Sequence, residues 1–141
     1  MKKIFYLLPL VLIIFVACEK KEDSNLTVKI TQAFAFATDE NWEVNVPATV
    51  KGFKTKGEEG NRNASLSYSV DVTNPQGKTF SKVYSGKEEI NLTEVKDDIT
   101  IDVQFYLDTT YVPGDYKITL NLIDELSKNK ATGMADLQLS K

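Results

Sequence analysis

From Leu26 onward, apolar and polar positions alternate with a period of two, the pattern of strands that bury one face. Leu26, Val28, Ile30, Phe34 and Phe36 fall on one parity, opposed by Thr27, Lys29 and Thr31. Gln32 interrupts the apolar parity, so a bend or a change of sheet is expected there. After a turn at Asp39-Glu40-Asn41, Trp42, Val44, Val46, Ala48 and Val50 alternate with Glu43, Asn45, Pro47 and Thr49. Pro47 cannot donate to a ladder and predicts either an edge position or a break. Residues 51–64 hold Gly52, Gly57 and Gly60 among lysines and glutamates, and read as a long, exposed, mobile loop.

Leu66, Tyr68, Val70 and Val72 form the next one-faced strand, ended by the turn residues Asn74-Pro75-Gln76-Gly77. Lys78 to Tyr84 reads as a short, imperfect hairpin arm, and Ile90 with Leu92 as a separate short strand. The clearest patterns come last. Ile99, Ile101, Val103, Phe105 and Leu107 make one strand, and Tyr116, Ile118, Leu120 and Leu122 the next, after Pro113-Gly114. Residues 127–131 turn the chain, and Ala135, Leu137 and Leu139 close it. This gives about eight strands and no helix. With turns every 8 to 12 residues, the expected fold is an all-β antiparallel sandwich of about 7–8 strands over residues 26–141.

Gly114-Asp115-Tyr116-Lys117-Ile118, at the entrance to the penultimate strand, resembles the tyrosine corner of immunoglobulin-like domains. The resemblance covers about residues 65–139. It implies that the Tyr116 hydroxyl bonds back to the preceding loop, with Gly114 and Tyr116 forming the corner. The cysteine pair of the antibody branch is missing, and Trp42 lies too early to be the mid-domain tryptophan of that family. The fold implies no activity.

The first 25 residues carry a different signal. Met1-Lys2-Lys3 is basic, Ile4 to Val16 is an apolar run of 13 residues, and Ala17-Cys18 precedes a charged stretch. A membrane-spanning helix needs about 20 apolar residues, so this run is read as a signal peptide over residues 1–17. Phe15-Val16-Ala17-Cys18 resembles the lipobox of bacterial lipoproteins, with Phe15 where leucine is usual. The resemblance implies cleavage between Ala17 and Cys18 and a lipidated Cys18, which would hold the chain on the outer membrane of a Gram-negative envelope. Glu19-Lys20-Lys21-Glu22-Asp23 resembles the short export signal of surface-displayed lipoproteins. Residues 18–25 are then lipidated cysteine and tether, with Lys21, Glu22 and Asp23 directing surface display; the periplasmic face is the alternative.

Composition narrows the chemistry. Cys18 is the single cysteine and histidine is absent, so the usual general base, metal ligands and nucleophile–histidine pairs are missing. Neither a cofactor nor a metal is expected. The acids Asp39, Glu40, Asp97, Asp98, Asp102 and Asp108 read as solvated turn and strand positions. Nothing in their spacing selects a calcium loop or a facing glycosidase pair, so no catalytic residue is assigned and the chain is expected not to be an enzyme. The net charge of −3 becomes −5 once Lys2 and Lys3 are removed, which disfavours nucleic acid. Asp108-Thr109-Thr110 resembles a three-residue O-glycosylation motif of surface-protein-rich Gram-negative bacteria.

What remains is a non-catalytic binding or accessory module for an unidentified protein, peptide or glycan, held to the membrane by its lipid. The expected ligand loops are residues 52–64, with Gly52, Lys54, Lys56 and Arg62, together with the corner loop carrying Tyr111. Exposed aromatics such as Tyr106 are the other lead, Trp42 being read mainly as core. Two alternatives stay open: a structural component of an envelope complex pairing through a sheet edge, or an inhibitor of exported proteases acting through residues 51–64.

Overall fold

The computed structural model describes residues 25–141; residues 1–24, with the segment read as a signal peptide, Cys18 and the charged stretch behind it, lie outside the described residues. Among the described residues nine strands occur, in the order β1 (Thr27–Ile30), β2 (Phe34–Ala37), β3 (Asn41–Lys51), β4 (Lys56–Glu58), β5 (Asn61–Thr73), β6 (Thr79–Leu92), β7 (Asp98–Asp108), β8 (Gly114–Asp124) and β9 (Lys130–Leu139). They form two antiparallel sheets, an all-β sandwich. In the first, β3 is flanked by β7 on one side and by β1 and β2 on the other. In the second, β5 joins β6 to β8, β9 follows β8, and β4 pairs with the start of β5.

Alternation builds the core directly. Val44, Val46, Ala48 and Val50 of β3 and Leu66, Val70 and Val72 of β5 are fully buried, as are Ile118 and Leu120 of β8. Ile101, Val103, Phe105 and Leu107 of β7 join them from the first sheet. Their neighbours in sequence face outward because successive side chains leave a strand on opposite sides. Two contacts close the sandwich at its sides. Tyr84 of β6 stacks on Phe105 of β7 at 5.8 Å and 15°. On the other side, β9 approaches β1 so closely that a Cβ on Gly133 would sit 3.1 Å from the Val28 carbonyl oxygen.

Three expectations change. First, β1 and β2 are one edge strand broken by a bulge. Ile30 pairs with Ala48 and Phe34 with Asn45, so four steps along the edge match three along β3. Pro47 is the cause. Its carbonyl accepts from the Thr31 amide at 3.1 Å, so its nitrogen faces the same edge strand and has no proton to give. The ladder breaks in the neighbour, while β3 runs on through the sheet centre. One extra residue reverses which side chains face inward. Ala33 is buried, and Phe34 and Phe36, expected inside, point out at 37% and 58% exposure.

Second, residues 51–64 are exposed over much of their length but are not one irregular loop. β3 continues to Lys51, and β4 pairs with β5 as a hairpin through Lys56 with Asn63 and Glu58 with Asn61. Asp124, fully buried, accepts from the Lys54 amide at 2.7 Å, the Leu126 amide at 3.0 Å and the Ser127 hydroxyl at 2.8 Å. It thereby fastens this segment to the β8–β9 turn.

Third, the expected hairpin arm at 78–84 and the short strand at 90–92 are one strand, β6. A bulge hides its continuity: Val70 pairs with Tyr84 and Val72 with Phe80, so two steps on β5 match four on β6. Within the bulge Lys82 has φ 52°, and its amide donates to Asp71 at 2.8 Å.

Candidate functional site

The register of β3 against β7 separates the loops expected to act together. Asn41 pairs with Asp108 at one end of the sandwich and Lys51 with Asp98 at the other. Eleven residues of strand lie between these ends, a length of about 35 Å. Gly52, Lys54, Lys56 and Arg62 are therefore at one end and Tyr111 at the opposite one. They do not form one site.

Each of these residues also has a structural setting. Gly52 has φ 75°, and a Cβ there would overlap the Asn25 carbonyl. Lys54 is held through its amide by Asp124, Lys56 opens β4, and Arg62 lies within β5 with its Nε buried. Tyr111 is packed edge-on against Phe80 at 5.7 Å and tilted against Tyr116 at 6.0 Å. Burial pushes its phenol up, helped by the Asp108 charge. Its carbonyl accepts from the indole of the buried Trp42 at 2.8 Å. The Tyr116 hydroxyl donates to the Val112 carbonyl at 2.9 Å, the corner bond that Gly114-x-Tyr116 suggested.

Among the described residues no three side chains of His, Cys, Asp or Glu converge on a point where a metal could sit. Asp108 instead closes its own turn, accepting from the Thr110 amide at 2.9 Å and from the Thr110 hydroxyl; these bonds hold its carboxyl below the usual range. One concavity, of about 750 Å³, is an open groove along Thr73, Asn74, Pro75, Tyr116 and Lys117. Its one aromatic, Tyr116, already uses its hydroxyl in the corner.

Among the described residues, three exposed aromatic rings lie on the outer face of the β1–β2–β3–β7 sheet. Cross-strand pairing sets two rows there: Phe36, Glu43 and Tyr106, then Phe34, Asn45 and Gln104. Phe34 and Phe36 meet edge-to-face at 5.5 Å, and Tyr106 is 59% exposed. Between the rings, Glu43 Oε1 accepts from Gln104 Nε2 at 2.7 Å and from Asn45 Nδ2 at 3.4 Å. Aromatic rings thus flank a tied carboxylate–amide cluster on an exposed sheet face. Tyr106 was visible in the sequence as an outward strand position. Phe34 and Phe36 were missed, and Pro47 was the signal that could have revealed them.

No family model and no curated protein matches the chain. Among solved structures, a beta-glucuronidase from Bacteroides uniformis is 14% identical over 82% of this chain, with a TM-score of 0.42. A beta-glucosidase from Kluyveromyces marxianus is 14% identical over 84%, with a TM-score of 0.43. The N-terminal domain of PorA is 10% identical over 82% of this chain and 88% of its own, with a TM-score of 0.34. The chain spans 13% of the length of the glucuronidase and 15% of the glucosidase. Identities this low say nothing of activity.

Proposed function

We propose that this chain is a lipid-anchored, non-catalytic binding module of a Gram-negative envelope, and that its recognition surface is the outer face of the β1–β2–β3–β7 sheet. The exposed rings of Phe34 and Phe36, with Tyr106 across Glu43 from them, carry the binding half of this reading. Large exposed rings gathered on one face of a small sandwich mark a surface kept for a partner. The anchoring half rests on the lipobox-like Phe15-Val16-Ala17-Cys18, with Lys21, Glu22 and Asp23 as the surface-export tether.

The anchor is tested by detergent-phase partitioning and protease shaving of intact cells. The native chain should enter the detergent phase and be shaved. Cys18→Ser should remain unprocessed, and alanines at Lys21, Glu22 and Asp23 should protect the domain inside the envelope. A processed Cys18→Ser chain with unchanged membrane partition rejects lipidation.

A second reading draws on the sheet edges. Among the described residues β7 pairs only with β3, and β6 only with β5, so each offers an edge to a partner strand. Sheet-edge assembly predicts that a proline at Gln104 disrupts the complex while Phe36→Ala leaves it intact.

A further inference from the structure

Resting on that reading of the sheet face, we propose that its ligand is an uncharged glycan laid across the strands. Phe36 and Tyr106 flank Glu43 in one cross-strand row, so they stand two strand spacings apart, about 10 Å. A disaccharide unit bridges such a span. A pyranose carries an apolar C–H face and a rim of hydroxyls, and this surface offers a counterpart to each. The rings take the C–H faces. Glu43 retains an oxygen, and Asn45 and Gln104 each retain an acceptor and an amide hydrogen, beyond the bonds they make to one another. Those groups match hydroxyls, which both donate and accept.

Charge narrows the class. Glu43, Asp102 and Asp108 lie on this face, whereas its lysines, Lys29 and Lys51, lie toward the far end beside Thr49 and Asp98. A uronic acid or sulfated chain would meet those carboxylates at the aromatic half, where none of the described sheet-face positions carries a lysine or arginine; Lys141 sits at the sandwich end instead, in a hollow with Asp39, Trp42 and Tyr111. A protein partner pressing apolar side chains onto the same half would strip water from Glu43 without supplying its lost hydrogen bonds, a heavy cost for a carboxylate. Sugar hydroxyls replace that water.

The test uses the full processed chain in detergent on a printed array of neutral and acidic glycans, followed by native gels containing the soluble polysaccharides of the classes that bind. Neutral glycans should bind and acidic ones should not. Phe36→Ala and Tyr106→Ala should each weaken binding by about tenfold, the loss of one stacked ring, while Asp98→Ala should leave it unchanged. Both aromatic positions are exposed, so thermal unfolding should confirm that the variants stay folded.

Preferential binding of acidic glycans overturns the proposal, as does neutral-glycan binding indifferent to both aromatic substitutions. If no glycan binds, the glycan class is wrong. Capture of an envelope protein that both substitutions abolish would then preserve the binding face, and capture indifferent to them would remove the face as well.

Discussion

Replacing Asp124 by alanine should be among the most damaging single changes in this domain, although no ligand need touch it. The carboxylate is fully buried and accepts from Lys54 N, Leu126 N and Ser127 Oγ at 2.7 to 3.0 Å. Alanine removes three charge-assisted bonds and leaves two amides and a hydroxyl without partners. Each such loss costs about 1–3 kcal/mol, less where water reaches the orphaned donor. The turn beyond Asp124 can open to solvent, so a total of about 3–5 kcal/mol is expected, a large part of the stability of a domain this size. Asp124→Asn retains acceptor capacity and should cost about half as much. Urea unfolding gives the magnitude, and limited proteolysis gives the location: cleavage should appear first between Gly52 and Thr55. A loss below about 1 kcal/mol, or cleavage elsewhere, would refute the view that this aspartate fastens the segment to the β8–β9 turn.

Further expectations concern the corner, the tyrosines and one glycine. Tyr116→Phe removes the bond to the Val112 carbonyl and should cost about 1 kcal/mol in urea unfolding. Tyr68 is buried, and that burial, with the neighbouring Tyr84 and Glu88, pushes its phenol up to about 12. Its neutral form is favoured when folded. Its contribution is therefore complete below the unfolded value of about 10 and is lost as pH rises from there through 12. Thermal unfolding should show that alkaline decline, and Tyr68→Phe should flatten it. Gly52→Ala meets both an unfavourable φ of 75° and the Asn25 carbonyl, and should lower the unfolding temperature by several degrees.

The buried strands were legible because nothing interrupts their period. β7 and β8 read as alternating buried and exposed positions almost throughout, and both sheets follow from the need to cover those faces. Tyr116 was legible for a local reason: its bonding partner is four residues away. What stayed hidden depends on distant residues. The inversion at Phe34 and Phe36 is caused by Pro47 in another strand, and Lys54 is fixed by an aspartate 70 positions later. In β6, Gly86 lies opposite Tyr68, whose ring occupies the space a Cβ would need. That glycine, the charged run Lys87-Glu88-Glu89 and the bulge at Lys82 together erase the alternation of a single strand. The aromatic face was thus half visible, through Tyr106 alone.

Amide chemical-shift mapping on the isotope-labelled processed chain tests the location of the binding surface most directly. Titration with a neutral glycan selected on the array should perturb Phe34, Phe36, Glu43, Asn45, Gln104 and Tyr106 together, leaving the strands of the second sheet unshifted. Perturbations confined to residues 52–64 or 108–115 would contradict the account and return recognition to the ends of the sandwich.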